Sequence, residues 1–202
     1  MYKPNEREYR SFGTFEAPEG DELEVRGTPV VFDKPTVLWE EGGVEYKEEI
    51  DPHAFDSCDM SDFILNRNHG MNDGTVYART RNGSLTYEIL PDRMDIRGAL
   101  DNNDERHRNL HRDVQKRLVD KMSFSFVTFP VDQGGYIYDP KTHTRRILKI
   151  KKLYDVSAVD FPAYNDTSIT TARSFFAEES RKEFKALEER RRRQELIIKT
   201  LI

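Results

Sequence analysis

The stretch "GTVYARTRNGSLTYEILPDRMDIRGAL", Gly74 to Leu100, constrains the fold more than any other. Polar and apolar residues alternate along it. Side chains alternate between the two faces of a strand, so this period is that of half-buried β structure and not of a helix. Asn82-Gly83 and Pro91-Asp92 break the alternation with residues suited to tight turns and divide the stretch into three antiparallel strands.

Further strands are predicted on either side. "LEVRGTPVVFD" (Leu23 to Asp33) reads as a strand or strand pair, with Gly27 and Pro29 marking a bulge or an edge. "DFILNRNHG" is a short apolar strand ending in polar residues, "MSFSFVTFPV" is another strand, and "GGYIYDPKTHTRRILKIKKL" reads as a hairpin. "YDVSAVDF" follows, ended by Pro162. Two helices interrupt the series. Asp51-Pro52 turns the chain into a short helix containing Phe55. Asn102 to Asp104 cap a longer one, with an apolar stripe of Leu110, Val114 and Leu118. A predominantly β chain of about seven strands with helices fits a small closed barrel better than an α/β sheet.

The organisation predicted from this is a flexible N-terminal segment over 1–22, one domain over 23–173 and a charged C-terminal helix over 174–202. The last segment, "SFFAEESRKEFKALEERRRRQELIIKTLI", lacks Gly and Pro and favours helix. Its apolar residues make no continuous stripe, so it reads as projecting or partner-dependent. Over the 202 residues, 36% are hydrophobic and 34% charged, which predicts a modest core beneath a heavily charged surface. A net charge of −5 gives no support to a generic nucleic-acid binder. The single cysteine, Cys58, permits no internal disulfide and favours a reducing compartment. The polar start "MYKPNEREYR" is unlike a secretory signal, and no apolar run approaches the roughly 20 residues a membrane helix needs. These features predict a soluble, intracellular protein.

Chemistry centres on "KMSFSF". Ser123 and Ser125 share one face of their strand, and Met122, Phe124 and Phe126 share the other. The plain reading is a half-buried strand with small hydroxyls outward. A serine becomes a nucleophile at neutral pH only beside a general base. Of the five histidines, His69 ends an apolar strand and is followed by Gly70, which lets the chain turn away. That placement suits a residue held over a cleft. His107 and His111 have the i, i+4 spacing of metal ligands, but among Glu105, Arg106, Arg108 and Arg112 a solvated face is the better reading. Asp155 lies on a strand, sharing a face with Ser157 and Val159, and a carboxylate in an apolar strand requires a partner. Asp160 falls on the other face. Ser, His and Asp on three strands form a triad hypothesis in which alternation alone does not separate Ser123 from Ser125. Cys58, among Asp56, Asp59 and Asp62, is a poor rival nucleophile because negative neighbours raise a thiol's pKa. Asn82-Gly83-Ser84 matches a glycosylation sequon but reads as a turn. Arg190 to Arg193 are interleaved with glutamates and read as a solvated helix or an assembly contact.

Five segments, taken in order, resemble the HK97-type prohead (capsid maturation) protease family of tailed bacteriophages. "VRGTPVVFD" resembles its opening strand. "EEIDPHAF" resembles Glu-x-Ile-x-Pro-Gly-Ala-Phe, with His53 for the glycine. "LNRNHG" resembles the strand ending in Asn-His-Asp, with Gly70 third. "KMSFSF" resembles Gly-Met-Ser-Phe-Gly-Phe, with Lys121 and Ser125 for the glycines. "LYDVSAVDFPAYNDTSI" resembles the closing Leu-x-Asp/Glu-Val-Ser-x-Val-x-x-Pro-Ala-Tyr. The resemblance implies a serine endopeptidase on a β-barrel like that of the herpesvirus assemblins, with Ser123, His69 and Asp155 as its triad and no cofactor or metal. It implies enclosure in the immature capsid in the host cytoplasm. The substrates implied are the major capsid protein, scaffold or prodomain polypeptides and the enzyme itself; neither a membrane nor a specific nucleic acid is a partner, and homo-oligomerisation is left open. Backbone N–H groups, Arg145 or Arg146 are candidate oxyanion donors. The C-terminal helix is expected to be a docking tail that brings the enzyme inside the assembling shell and is lost on autolysis; the alternative is an inactive capsid-assembly protein on the same fold, with that helix as its working part.

Overall fold

The computed structural model describes residues 6–18, 20, 23–71, 74–160 and 166–200. Among them are β1 (Glu8–Glu16), β2 (Glu24–Val31), β3 (Thr36–Glu41), β4 (Val44–Ile50), β5 (Ile64–Arg67), β6 (Ala78–Arg79), β7 (Leu85–Ile89) and β8 (Arg93–Ala99). Helix α1 (Glu105–Gln115), strands β9 (Lys121–Thr128), β10 (Tyr136–Asp139), β11 (Thr144–Ile147) and β12 (Ile150–Val159), and helix α2 (Asp166–Thr200) complete the order.

Eight strands, in the order β6-β5-β12-β9-β1-β2-β8-β7, form one sheet that curls into a nearly closed barrel. The expected mainly β barrel with a C-terminal helix is therefore present. It has one strand more than the seven anticipated, and a second sheet of four strands, β10-β11-β4-β3, packs beside it. Its interior is filled by Val25, Phe63, Leu65, Leu85, Met94, Ile96, Met122, Phe124, Phe126 and Val156, all buried. The bulge anticipated at Gly27 and Pro29 appears as a register shift between Gly27 and Val30 in the β2–β8 pair. Gly27 is required there: a Cβ would lie 2.2 Å from Met122 Sδ and 2.8 Å from the Thr14 carbonyl.

Four local expectations need correction. Within the segment 1–22 expected to be flexible, Glu8–Glu16 form β1, which lies between β9 and β2 in the barrel. Its inward-facing Glu8 and Arg10 hide the usual apolar alternation. Pro52 to Ser57 is a run of turns and not a helix, with N–H to carbonyl bonds from Ala54 to Asp51, Asp56 to His53 and Cys58 to Phe55 at 2.9–3.1 Å. Leu118 falls beyond the end of α1 and is 66% exposed, so the buried stripe is His107, Leu110, His111 and Val114. His107 and His111 thus lie on the inward face and not on a solvated one. The Asp104 carboxylate caps α1 by accepting the Arg106 N–H at 2.8 Å, as the capping residues predicted. Pro162, expected to end the last strand, and the rest of "FPAYN" lie outside the described residues.

The two sheets are joined by a buried charge cluster. Arg145 of β11 donates to Glu8 of β1 (2.7 Å) and Glu48 of β4 (3.1 Å), and Arg10 of β1 donates to the same two carboxylates. All four side chains are at most 2% exposed. The Arg145 guanidinium also stacks on Tyr136 (4.6 Å) and Phe175 (4.7 Å), which ties α2 to the cluster. Among the described side chains of α2, Ala172, Phe175 and Phe176 are buried against Trp39 and Tyr136, with Tyr46 and Tyr138 packed alongside. Further on, Phe184 is 63% and Leu187 58% exposed, which is why no continuous stripe is visible in the sequence. No helix among the described residues is long and apolar enough to cross a membrane.

Candidate active site

Strand β9 is paired on both sides, with β1 and with β12. Ser11 of β1, Ser123 and Ser157 of β12 are register partners across the three strands, as are Tyr9, Ser125 and Asp155. Residues directly opposite one another share a face, so these six polar side chains lie outside the barrel while Phe124 and Val156 fill its interior. The serines were expected on a half-buried strand with hydroxyls outward. Both are instead fully buried, as are Asp155 and Ser157, because this outer face is itself covered.

The histidine arrives from β5, which runs parallel to β12 with Ala158 opposite Arg67. Past Arg67 the chain leaves the sheet through Asn68 (φ 48°), His69 (φ 56°) and Gly70 (φ 72°). Two successive non-glycine residues in the left-handed region are strained and persist only when held from outside. The holding groups are visible. The Asn68 side chain donates to Asp160 (2.8 Å) and accepts the Asp160 N–H (3.1 Å), Arg67 grips the same carboxylate at 2.6 and 2.9 Å, and the His69 N–H donates to Ser157 Oγ at 2.8 Å. This turn folds the imidazole back over β12.

As a result, His69 Nδ1 lies 2.7 Å from Asp155 Oδ1, and His69 Nε2 lies 2.7 Å from Ser123 Oγ. An ionised carboxylate can only accept, so the network assigns the proton to Nδ1 and leaves Nε2 as acceptor for the serine hydroxyl. The His69 side chain is 1% exposed, and Tyr9 packs edge-on against it at 4.6 Å. All three residues singled out in the sequence therefore meet in one hydrogen-bonded chain, and Ser125, rather than Ser123, touches the far oxygen of Asp155.

Other groups singled out in the sequence lie elsewhere. Burial, with Asp59 adding to it, pushes the Cys58 thiol up to about 12, far from a reactive thiolate. His107 accepts the Asp101 N–H through Nδ1 (3.0 Å), and burial holds His107 and His111 below the usual imidazole range. Arg145 sits in the buried charge cluster, and Arg146 pairs with Glu49, Asp51 and Asp33 at 2.5–2.7 Å, so the two arginines named as oxyanion donors are committed to other carboxylates. Asn82 accepts from Ser84 (2.6 Å) in the turn it was expected to form. Arg190 to Arg193 are exposed on α2.

Sequence reasoning missed Arg7. Its guanidinium donates to Ser125 Oγ through Nε (3.0 Å) and Nη2 (2.7 Å) and forms an ion pair with Asp155 Oδ2. No motif announced it, because its segment had been placed outside the folded domain. Asp160 was recognised only as facing away from Asp155, whereas it clamps the turn that carries the histidine.

A family model described as caudovirus prohead serine protease matches residues 14–182. No curated protein and no solved structure matches at a significant level.

Proposed function

This chain belongs to the caudovirus prohead serine protease family, and from that premise we propose that Ser123 is its nucleophile, His69 its general base and acid, and Asp155 the carboxylate that orients the imidazole. Membership makes the chain a serine endopeptidase of phage capsid maturation. The observation that supports the residue roles is the continuous chain Ser123–His69–Asp155, with 2.7 Å at each link, drawn from β9, the β5 turn and β12.

In this reading Ser123 Oγ attacks the scissile carbonyl carbon as its proton passes to His69 Nε2. The tetrahedral intermediate collapses with cleavage of the C–N bond, and His69 returns that proton to the departing amine. Water then attacks the acyl carbon as its proton passes to His69 Nε2, and collapse of the second tetrahedral intermediate breaks the C–Oγ bond as His69 returns that proton to Ser123 Oγ. Asp155 keeps the proton of the resting imidazole on Nδ1 and stabilises the imidazolium formed in each half-reaction. Its burial strengthens that interaction, because water does not screen it.

The substrates in this reading are prodomains of the capsid or scaffold protein, and the enzyme itself, inside the immature shell. The exposed part of α2 is the segment that docks on the assembling shell. Truncation at Arg173 would remove Phe175 and Phe176 from the core, so the informative truncation removes residues 181–202 only. Normal packaging of that shortened chain into procapsids would contradict the docking role.

Co-expression with the neighbouring capsid gene product tests the catalytic assignment. Wild type is expected to clip the capsid or scaffold polypeptide, and Ser123→Ala to leave it intact. Equal cleavage by Ser123→Ala would defeat the serine assignment, and no cleavage by wild type would favour an inactive assembly protein.

A further inference from the structure

We infer that Ser125 and Arg7 are a positioning pair for the catalytic carboxylate, acting on the oxygen of Asp155 that His69 does not use. The inference rests on the triad assignment above and concerns what holds that triad in register.

The buried carboxylate of Asp155 has two oxygens. Oδ1 accepts from His69 Nδ1, and Oδ2 accepts from both the Ser125 hydroxyl and the Arg7 guanidinium. Proton inventory fixes the directions. Arginine only donates, so the two Arg7 N–H groups within 3.0 Å of Ser125 Oγ leave that hydroxyl accepting from Arg7. Its one hydrogen is then free for Asp155. The chain Arg7→Ser125→Asp155 thus continues the His69–Ser123 link on its far side.

The consequence is torsional. The last side-chain torsion of aspartate is broad and roughly two-fold, so a carboxylate anchored through one oxygen can swing. Anchoring both oxygens stops the swing and holds Oδ1 on the imidazole. Ser125 suits this role because its Cα sits on a strand paired on both sides, directly opposite Asp155. Arg7 suits it differently: its side chain is 38% exposed and passes over Tyr154 (4.8 Å), bringing a positive charge to the site from the solvent side. That charge offsets part of the negative charge that Asp155 presents to His69. Position 125 is also where the resembled pattern carries glycine, which offers no hydroxyl to either partner.

The test is the second-order rate of Ser123 modification by diisopropyl fluorophosphate as a function of pH, which needs no knowledge of the cleavage site. Ser125→Ala and Ser125→Gly are expected to lower the maximal rate by about 10- to 100-fold, the scale of a lost hydrogen bond to a charged group. Ser125→Thr, which keeps the hydroxyl, is expected to recover most of it. Arg7→Ala is expected to move the acid limb of the profile to higher pH, because removing a cation favours the imidazolium that must lose its proton. A merely structural contact would not move that limb. Wild-type rate and profile in Ser125→Ala would overturn the inference. Arg7 lies at the solvent boundary, so Arg7→Ala carries the test if Ser125→Ala does not fold, and an unmoved limb there overturns it equally. Ser123→Ala separates the two levels: reaction of that variant at the wild-type rate defeats the triad itself, whereas an inert Ser123→Ala beside wild-type-like Ser125 and Arg7 variants defeats only the pair.

Discussion

The backbone N–H of His69 donates to the Oγ of Ser157, and Ser157 is the register partner of Ser123. The imidazole proposed as general base is therefore pinned by its own main chain to the strand beside the proposed nucleophile, which sets the imidazole height over the serine. Ser157→Ala leaves that N–H without its partner. The expected outcome is a loss of about 1–3 kcal/mol in stability, read by chemical denaturation, together with a drop in cleavage rate larger than any change in substrate affinity.

Asp155→Asn keeps the shape of the side chain but allows it to donate to Nδ1, which stabilises the wrong imidazole tautomer. A fall in kcat of about four orders of magnitude is expected, as for the equivalent change in other serine proteases. A loss smaller than about tenfold would remove Asp155 from the triad.

Arg145→Met tests the cluster between the sheets. In the intact cluster Arg145, and after it Arg10, hold the Glu8 carboxyl below its usual range against the effect of burial, and the variant leaves Glu8 and Glu48 sharing Arg10 in a dry environment. Breaking such a buried group from one side costs about 3–5 kcal/mol. For a chain of this size that corresponds to a fall in Tm of roughly 10 °C by calorimetry. An unchanged Tm would show that the cluster has no structural weight.

His107 and His111 give the fold a pH dependence of known sign. Burial lowers both imidazoles below the ordinary 6.5 in the folded state. As pH falls through 6.5 towards the lower folded values, the unfolded chain binds protons that the folded chain refuses, so stability drops in that window and is independent of these groups above it. Tm is expected to fall between about pH 7 and about pH 5, with a shallower fall in the double variant His107→Gln, His111→Gln. Equal slopes would remove the histidines from the account.

Much of this was legible from the chain because alternation and turn signals are local. The β7–β8 pair, the bulge at Gly27 and the cap at Asp104 each follow from a few neighbouring residues, whereas the first of the three antiparallel strands expected from Gly74 is only the two-residue β6, which pairs with β5. The inward face of α1 was also written at i, i+3, i+4 and i+7 in His107, Leu110, His111 and Val114, but the surrounding charges drew the reading towards solvent. What stayed hidden depends on partners distant in sequence. Glu8 and Arg10 disguise β1 because their partners, Glu48 and Arg145, lie on the second sheet. Ser123 and Ser125 are equivalent by alternation, and only the turn at Asn68 and His69 decides which of them receives the imidazole.

The most direct measurement of the central claim is peptide mapping of the protein after reaction with diisopropyl fluorophosphate. The account predicts one covalent adduct on the Ser123 hydroxyl, strongly reduced in His69→Ala and in Asp155→Asn. An adduct carried by Ser125 in place of Ser123, or one formed at an undiminished rate without His69, would contradict it.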